Sequence, residues 1–328
     1  MSVDAPDRPP AGPSTGPVAG PPGLPNDPPR PPDPEVRYDP PRSLVPSPAS
    51  DRPWRTGTVL VGGGVVLLLV LVLAATSAAT WVNARRFTEV PATTTLGAPT
   101  SLSVGSTLGT VRVQPSDEVD EVVLSLVEPG TTVPAAEGDM VRARIERSGG
   151  ADATVVRVSQ PEEYTGVPGV DRARDVLVLV PSGHVMDLDL SSTVGDVVAD
   201  GEFSAVNVRA DVGDVHLGPV SAPDGLTVST DIGGIDVETV SPAPTSVELT
   251  SSLGDVSLRL PADAGGEVSL LSELGDLRIA VAGTSRWGVE TSTGLGTEQI
   301  DPGLTDGSGA PVGTLSARTE TGDVTITR

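Results

Sequence analysis

Between residues 190 and 328 hydrophobic and polar positions alternate with period two, and the alternation changes parity at regular places. Val247, Leu249, Ser251 and Leu253 share one side of an extended segment, but after Gly254 and Asp255 the apolar positions are Val256 and Leu258. The same shift follows Val206, Val208, Ala210 and Val212; Leu226, Val228, Thr230 and Ile232; and Val268, Leu270, Ser272 and Leu274. Period-two alternation predicts half-buried β-strands. A strand that stayed in register through the Gly-Asp step would turn one set of aliphatics into water. Each step therefore reads as a bulge or tight corner that keeps both sets, Leu253 and Val256 alike, on the core side.

The corner glycines are Gly195, Gly213, Gly233, Gly254, Gly275 and Gly322, with Gly109 and Gly296 in looser copies. From Gly195 to Gly296 the intervals are 18, 20, 21, 21 and 21 residues, and only the last, 26, is stretched, by "DPGLTDGSGAPVG". Glycine supplies backbone freedom at such a corner and aspartate an acceptor for nearby amides. Three residues before each glycine stands a small side chain (Ser106, Ser192, Ala210, Thr230, Ser251, Ser272, Thr293, Thr319), read as an inward ladder where the corner leaves no room for leucine. Turn signals such as "SAPDG" and "LPADAGG" form the other corners. A single repeat of about twenty residues cannot offset its ordering entropy, whereas stacked copies saturate one another's strand edges. The fold class expected is all-β, a β-solenoid-like stack, with an antiparallel sandwich as the alternative. Upstream, strands are expected at "GTVRV", "EVVLSLV", "MVRARIE", "ATVVRVS", "DVLVLVP" and "VMDLDL", in the same domain, residues 101–328.

The N-terminal third has a different pattern. Residues 56–84 run for 29 positions without a charge, and as a helix rising ~1.5 Å per residue this run is long enough to cross a ~30 Å hydrocarbon layer. Trp54 and Trp81 stand at its ends, and Arg85 with Arg86 stops it. Arg37, Arg42, Arg52 and Arg55 precede the run, which favours a cytoplasmic N-terminus and an extracytoplasmic C-terminal domain. The apolar run exceeds a signal-peptide core, and the leader before it is too long, so an uncleaved single-pass anchor is expected rather than a signal cut near "AATSAA". Residues 1–55 hold eighteen of the thirty-three prolines within their first 53 positions and almost no large apolar side chains, the composition of a disordered, polyproline-II-like tail. Residues 85–100, "FTEVPATTTLGAPT" among them, read as a stalk.

Composition narrows the partners. The net charge is −23 and every basic residue is arginine, a usage that fits a bacterium with a GC-rich genome. Residues 84–328 carry fifteen arginines against thirty-seven acids, so no basic face exists to displace phosphate counterions and nucleic acid is excluded as an expected partner. Without cysteine, neither disulfides nor thiolate-metal sites support the fold. His184 and His216, the only histidines, lack neighbouring nucleophiles or ligands and read as isolated solvent-facing rings. No phosphate loop, zinc spacing or serine elbow is present, so no enzyme and no cofactor are expected. The aromatics are too few and scattered for a sugar platform, and Trp287 occupies an apolar slot of its repeat as a core filler.

If coils stack ~4.8 Å apart, Asp196, Asp214, Asp255 and Asp276 fall on one line and are weak calcium candidates. Calcium wants six to eight oxygens in a closed loop, and Gly234 interrupts the row, so capping of turns is the preferred role for these aspartates.

The succession "GSTLGTVRV", "DVLVLVPSGHVMDLDLSSTVGDVVADG" and then Gly-Asp-Val repeats resembles the bacterial putative-adhesin family, over residues 100–328. Gly234 and Thr297 depart from its pattern. The resemblance implies an exported or membrane-tethered envelope protein of β-strand repeats and offers no catalytic residue. The functional expectation is an adhesin-like interaction module on the bacterial cell membrane, engaging an envelope or surface protein or polymer. The alternative is a transmembrane envelope-stress sensor whose proline-rich tail recruits a cytosolic partner.

Overall fold

The computed structural model describes residues 51–84, 87–161, 173–306 and 309–328. The proline-rich tail over 1–50, Arg85 and Arg86 lie outside the described residues, as do the side chains of Trp54 and Trp81. The helix α1 runs over Asp51–Ala84, 34 residues, and contains the whole uncharged run. Its described side chains, Gly57 and residues 59–74, are all exposed. Among the described residues no helix is long and apolar enough to cross a membrane, so the span expected over 56–84 is not found there; the side chains described without a break run only over 59–74.

The rest is β-structure, apart from the single-turn α2 (Pro302–Thr305). The first eight strands are β1 (Thr88–Pro91), β2 (Thr93–Gly97), β3 (Ser101–Ser106), β4 (Val111–Ser116), β5 (Val122–Val127), β6 (Met140–Gly149), β7 (Ala153–Ser159) and β8 (Asp175–Pro181). Regular coils follow, each of two strands: β9 (Asp187–Val194) with β10 (Val197–Glu202), β11 (Ala205–Val212) with β12 (Val215–Ser221), β13 (Gly225–Ile232) with β14 (Ile235–Thr239), β15 (Ser246–Leu253) with β16 (Val256–Leu260), and β17 (Gly266–Leu274) with β18 (Leu277–Val281). The last two coils are β19 (Gly288–Leu295) with β20 (Glu298–Ile300) and β21 (Gly313–Thr321) with β22 (Val324–Thr327).

Two 11-stranded sheets result, one in the order β1-β6-β7-β3-β9-β11-β13-β15-β17-β21-β19 and the other β2-β5-β8-β4-β10-β12-β14-β16-β18-β22-β20. From β9 to β22 all pairing is parallel, coil on coil, as in a solenoid. Antiparallel pairing, the mark of the sandwich alternative, is confined to the end built from β1, β2, β5 and β6. The inward rows of both sheets form one continuous core, in which Val208, Val228, Leu249, Val256 and Leu258 are fully buried.

Three findings depart from the sequence reading. First, the segment read as a stalk contains β1 and β2: Ala92 and Leu96 are buried, and Thr93–Gly97 pairs antiparallel with β5. The β-branched threonines suit a strand as well as an extended linker, and the alternation is too short to tell them apart. Second, the coils do not stack in chain order. The β21/β22 coil lies between β17/β18 and β19/β20, and β3/β4 lies between the β7/β8 layer and β9/β10. The stretched 26-residue interval is the crossover that lets the chain return. Third, the corner is wider than a Gly-Asp step. Ser251 and Val256 are buried, while Ser252, Leu253, Gly254 and Asp255 all stand outside the core. Face-to-face sheets lie ~10 Å apart and an extended residue advances ~3.3 Å, so crossing from one sheet to the other takes three or four residues, not two.

Candidate functional site

Each corner is a set of parallel columns. The glycines form the innermost: a Cβ on Gly254 would overlap the carbonyl oxygen of Gly233, one on Gly275 that of Gly254, and one on Gly322 that of Gly275. With φ of 158° at Gly254 the conformation also disfavours an L side chain. Gly195, Gly213 and Gly233 repeat the arrangement, and Gly296 rests on Gly322, so the column follows the spatial order of the coils rather than the chain.

The small inward residues do more than leave room. Ser251 Oγ donates to the Gly233 carbonyl at 3.0 Å, Ser272 to Gly254 at 3.2 Å, Thr319 to Gly275 at 3.0 Å and Thr293 to Gly322 at 2.9 Å. These carbonyls face inward at the corner, where an unpaired acceptor is costly, and a hydroxyl satisfies each. Thr230 donates to the Gly213 carbonyl at 3.4 Å and Ser192 to the Gly195 carbonyl of its own coil at 2.9 Å, while Ser106 serves the Leu108 carbonyl and Ala210 has no hydroxyl to give.

The aspartate row is a capping ladder. Asp196 Oδ1 accepts from the Asp214 amide at 3.0 Å, Asp214 from Gly234 at 2.7 Å, Asp255 from Asp276 at 2.9 Å and Asp276 from Asp323 at 2.9 Å. Asp323 accepts from both the amide and the hydroxyl of Thr297. Arg278 lies between two of these carboxylates, 3.2 Å from Asp255 and 2.7 Å from Asp276. The Asp276 amide, then Arg278, holds the Asp255 carboxyl below the usual carboxylate range. The Thr297 amide and hydroxyl do the same for Asp323. All four calcium candidates thus spend one oxygen on a neighbouring amide, and among the described residues no group of three or more His, Asp or Glu side chains is arranged to hold a metal ion.

Asp175, which the repeat pattern did not reveal, extends the same device to an irregular coil. Nearly buried, it accepts from the amides of Thr110 at 3.0 Å and Gly130 at 2.8 Å. His184 is half-buried with Nε2 2.8 Å from the Pro99 carbonyl, whereas His216 is exposed. Trp287 fills the core, and its Nε1 is buried without a hydrogen-bond partner.

Outside the glycines runs a column that the sequence reading assigned to the core. Val194, Val212, Ile232, Leu253 and Leu274 are in parallel register on successive strands, and Thr321 and Leu295 continue the line. Their exposures are 46% at Val194, 43% at Val212, 51% at Ile232, 52% at Leu253 and Leu274, and 72% at Leu295. The sequence does carry a signal for this: an acid precedes the aliphatic at Asp211, Asp231 and Glu273, and Thr321 stands among the aliphatics.

The family model described as Toastrack DUF4097 matches residues 148–327, more than half of the chain. The chain belongs to the Toastrack family. The Toastrack match spans the regular coils together with β7 and β8, while β1 to β5 precede it. No curated protein matches the sequence. Among solved structures, this Toastrack chain is similar to a putative adhesin from Bacteroides fragilis, at 12% identity over 73% of this chain and 97% of that one, with a TM-score of 0.42. It is also similar to a putative cell adhesion protein from Clostridium sporogenes, at 11% identity over 73% of this chain and 99% of that one, with a TM-score of 0.32.

Proposed function

We propose that this Toastrack chain is a single-pass protein of the bacterial cell membrane whose β-stack is exported and acts there as an adhesin-like interaction module, binding without turnover. The observation that carries the reading is the in-register outer surface. Six of seven successive strands present an aliphatic side chain at the same corner, the exception being Thr321, a linear array suited to an extended macromolecular partner rather than to a small molecule. The anchor rests on the sequence alone: 29 uncharged residues over 56–84, which at ~1.5 Å per residue would make about 43 Å of helix against a ~30 Å hydrocarbon layer. The orientation is supported by the excess of arginine on its N-terminal side. The surplus of acids over arginines in the β-domain fits a protein or polymer partner rather than nucleic acid.

The chain lacks cysteine, which gives a direct test. Introduced Asp224→Cys, at an exposed turn, should react with a membrane-impermeant maleimide on intact cells, whereas Ser14→Cys should react only after lysis. Attachment of cells to surfaces or to one another should fall when the chain is deleted and return with a version lacking residues 1–50. Labelling of Ser14→Cys from outside would overturn the orientation. Loss of function on removing residues 1–50 would favour the sensor in place of the adhesin.

A further inference from the structure

The exposed aliphatic column has acidic borders. On one side stand Asp211, Asp231 and Glu273, one position before the aliphatic in three of the coils, and on the other Asp214, Asp255 and Asp276, two positions after it in three. All six are at least partly exposed, and Arg278 is the cation paired with this border. We infer that the column Val194–Val212–Ile232–Leu253–Leu274–Thr321–Leu295, aliphatic at every rung but Thr321, is a docking ridge for a basic amphipathic helix of a partner protein, apolar along one face and lined by lysine or arginine on both flanks. This deepens the interaction-module reading by naming its surface and the chemistry of its partner.

Four features select that occupant. The ridge joins five aliphatic side chains, Val194 to Leu274, into one unbroken stripe, the kind of contiguous apolar surface that marks an interaction site, with Leu295 beyond Thr321. Its backbone is already saturated: the Gly254 amide donates to Leu274 and the Val256 amide to Asp276, so a partner cannot add a strand here and must bind through side chains. Six steps of ~4.8 Å make the ridge about 29 Å long, the length of a helix of about twenty residues. One helical turn of ~5.4 Å places about one apolar side chain per rung, with its flanking residues over the two acidic rows, the arrangement that charged flanks give to paired helices. A second copy of this chain would set acid against acid, and an anionic lipid surface would be repelled.

The test uses the full-length protein in nanodiscs and a synthetic twenty-residue leucine-lysine amphipathic peptide carrying a photo-crosslinker. Binding is read as crosslinked protein mapped by mass spectrometry, so that peptide held by lipid is not counted. Crosslinks should fall on the column. Ile232→Thr, Leu253→Thr and Leu274→Thr combined should weaken binding at least tenfold with the melting temperature unchanged, threonine being the residue already present at position 321. Asp211→Asn, Asp231→Asn and Glu273→Gln combined should weaken binding tenfold in low salt and much less in high salt. Equal crosslinking of the triple-threonine protein, or of a peptide with glutamate in place of lysine, overturns the proposal. So does self-association abolished by the threonine changes, or column-dependent binding to anionic vesicles. Cells that fail to attach while the peptide still crosslinks would remove the adhesin reading and leave the ridge in place.

Discussion

The backbone amide of Asp276 donates to Oδ1 of Asp255 across 2.9 Å, so each side chain of the row caps the coil stacked on it rather than its own turn. Because this bond and then Arg278 depress the Asp255 acid, its ionised form stabilises the fold at pH values above about 4, and that contribution is lost as the pH falls through the lower folded-state value. Asp255→Asn should therefore destabilise the protein at pH 7, by under ~1 kcal/mol because the pair is largely exposed. The difference from wild type should shrink as the pH falls below about 4. Urea unfolding at pH 7 and near pH 3 measures it, and a penalty that does not shrink in acid would show that charge is not the cause.

Asp200 has the opposite sign. Burial raises its carboxyl above the usual range, with Arg112 opposing in part, so ionisation works against the fold at neutral pH and ceases to do so as the pH falls below about 4. Asp200→Asn should raise the thermal midpoint at pH 7 and leave it unchanged near pH 3. An equal gain at both values would point to packing instead.

Two leucines of one strand separate the corner geometry from the simple alternation. Leu249 is fully buried and Leu253 is 52% exposed. Leu249→Ala should cost ~2–5 kcal/mol, and Leu253→Ala well under ~1 kcal/mol. Similar losses from denaturant titrations would return Leu253 to the core.

Two neighbouring glycines should likewise respond in opposite ways. At Gly254 a methyl group meets the Gly233 carbonyl, so Gly254→Ala should cost more than ~2 kcal/mol and loosen the adjoining coils, seen as faster hydrogen exchange in β13 and β17. At Gly234 a Cβ would find its nearest atoms at 3.4 and 3.6 Å, ordinary contacts, and a side-chain oxygen there could cap the Asp255 amide. Gly234→Asn should stabilise by about 0.5–1 kcal/mol. A loss of stability there would mean that the gap in the ladder is required.

The alternation around Val206, Leu226, Val247 and Val268 was enough to read the strands, the stacking and the small inward ladder, because burial on one face imposes period two whatever the neighbours are. It was not enough to read the facing of Val212, Ile232, Leu253 and Leu274. A corner has its own geometry, set by the distance between sheets, and aliphatic character alone does not say which side of it a residue takes. Nor did it give the order of coils, since Leu274 can pair with Thr321 as well as with Leu295: every copy offers the same register to every other. The hydroxyl caps escaped for a related reason. A buried serine looks like a filler of small volume until the carbonyl opposite it is located.

The threading of the last two coils has a consequence for how such a molecule can change size. The outermost coil, β19/β20, is held by one that follows it in the chain, so a copy appended after β22 would find its place already taken. A whole copy of about twenty-one residues inserted among β11 to β18 would meet identical neighbours above and below. The reach of the molecule is thus adjustable in steps of ~4.8 Å from the middle, with the coils at either end left as they are.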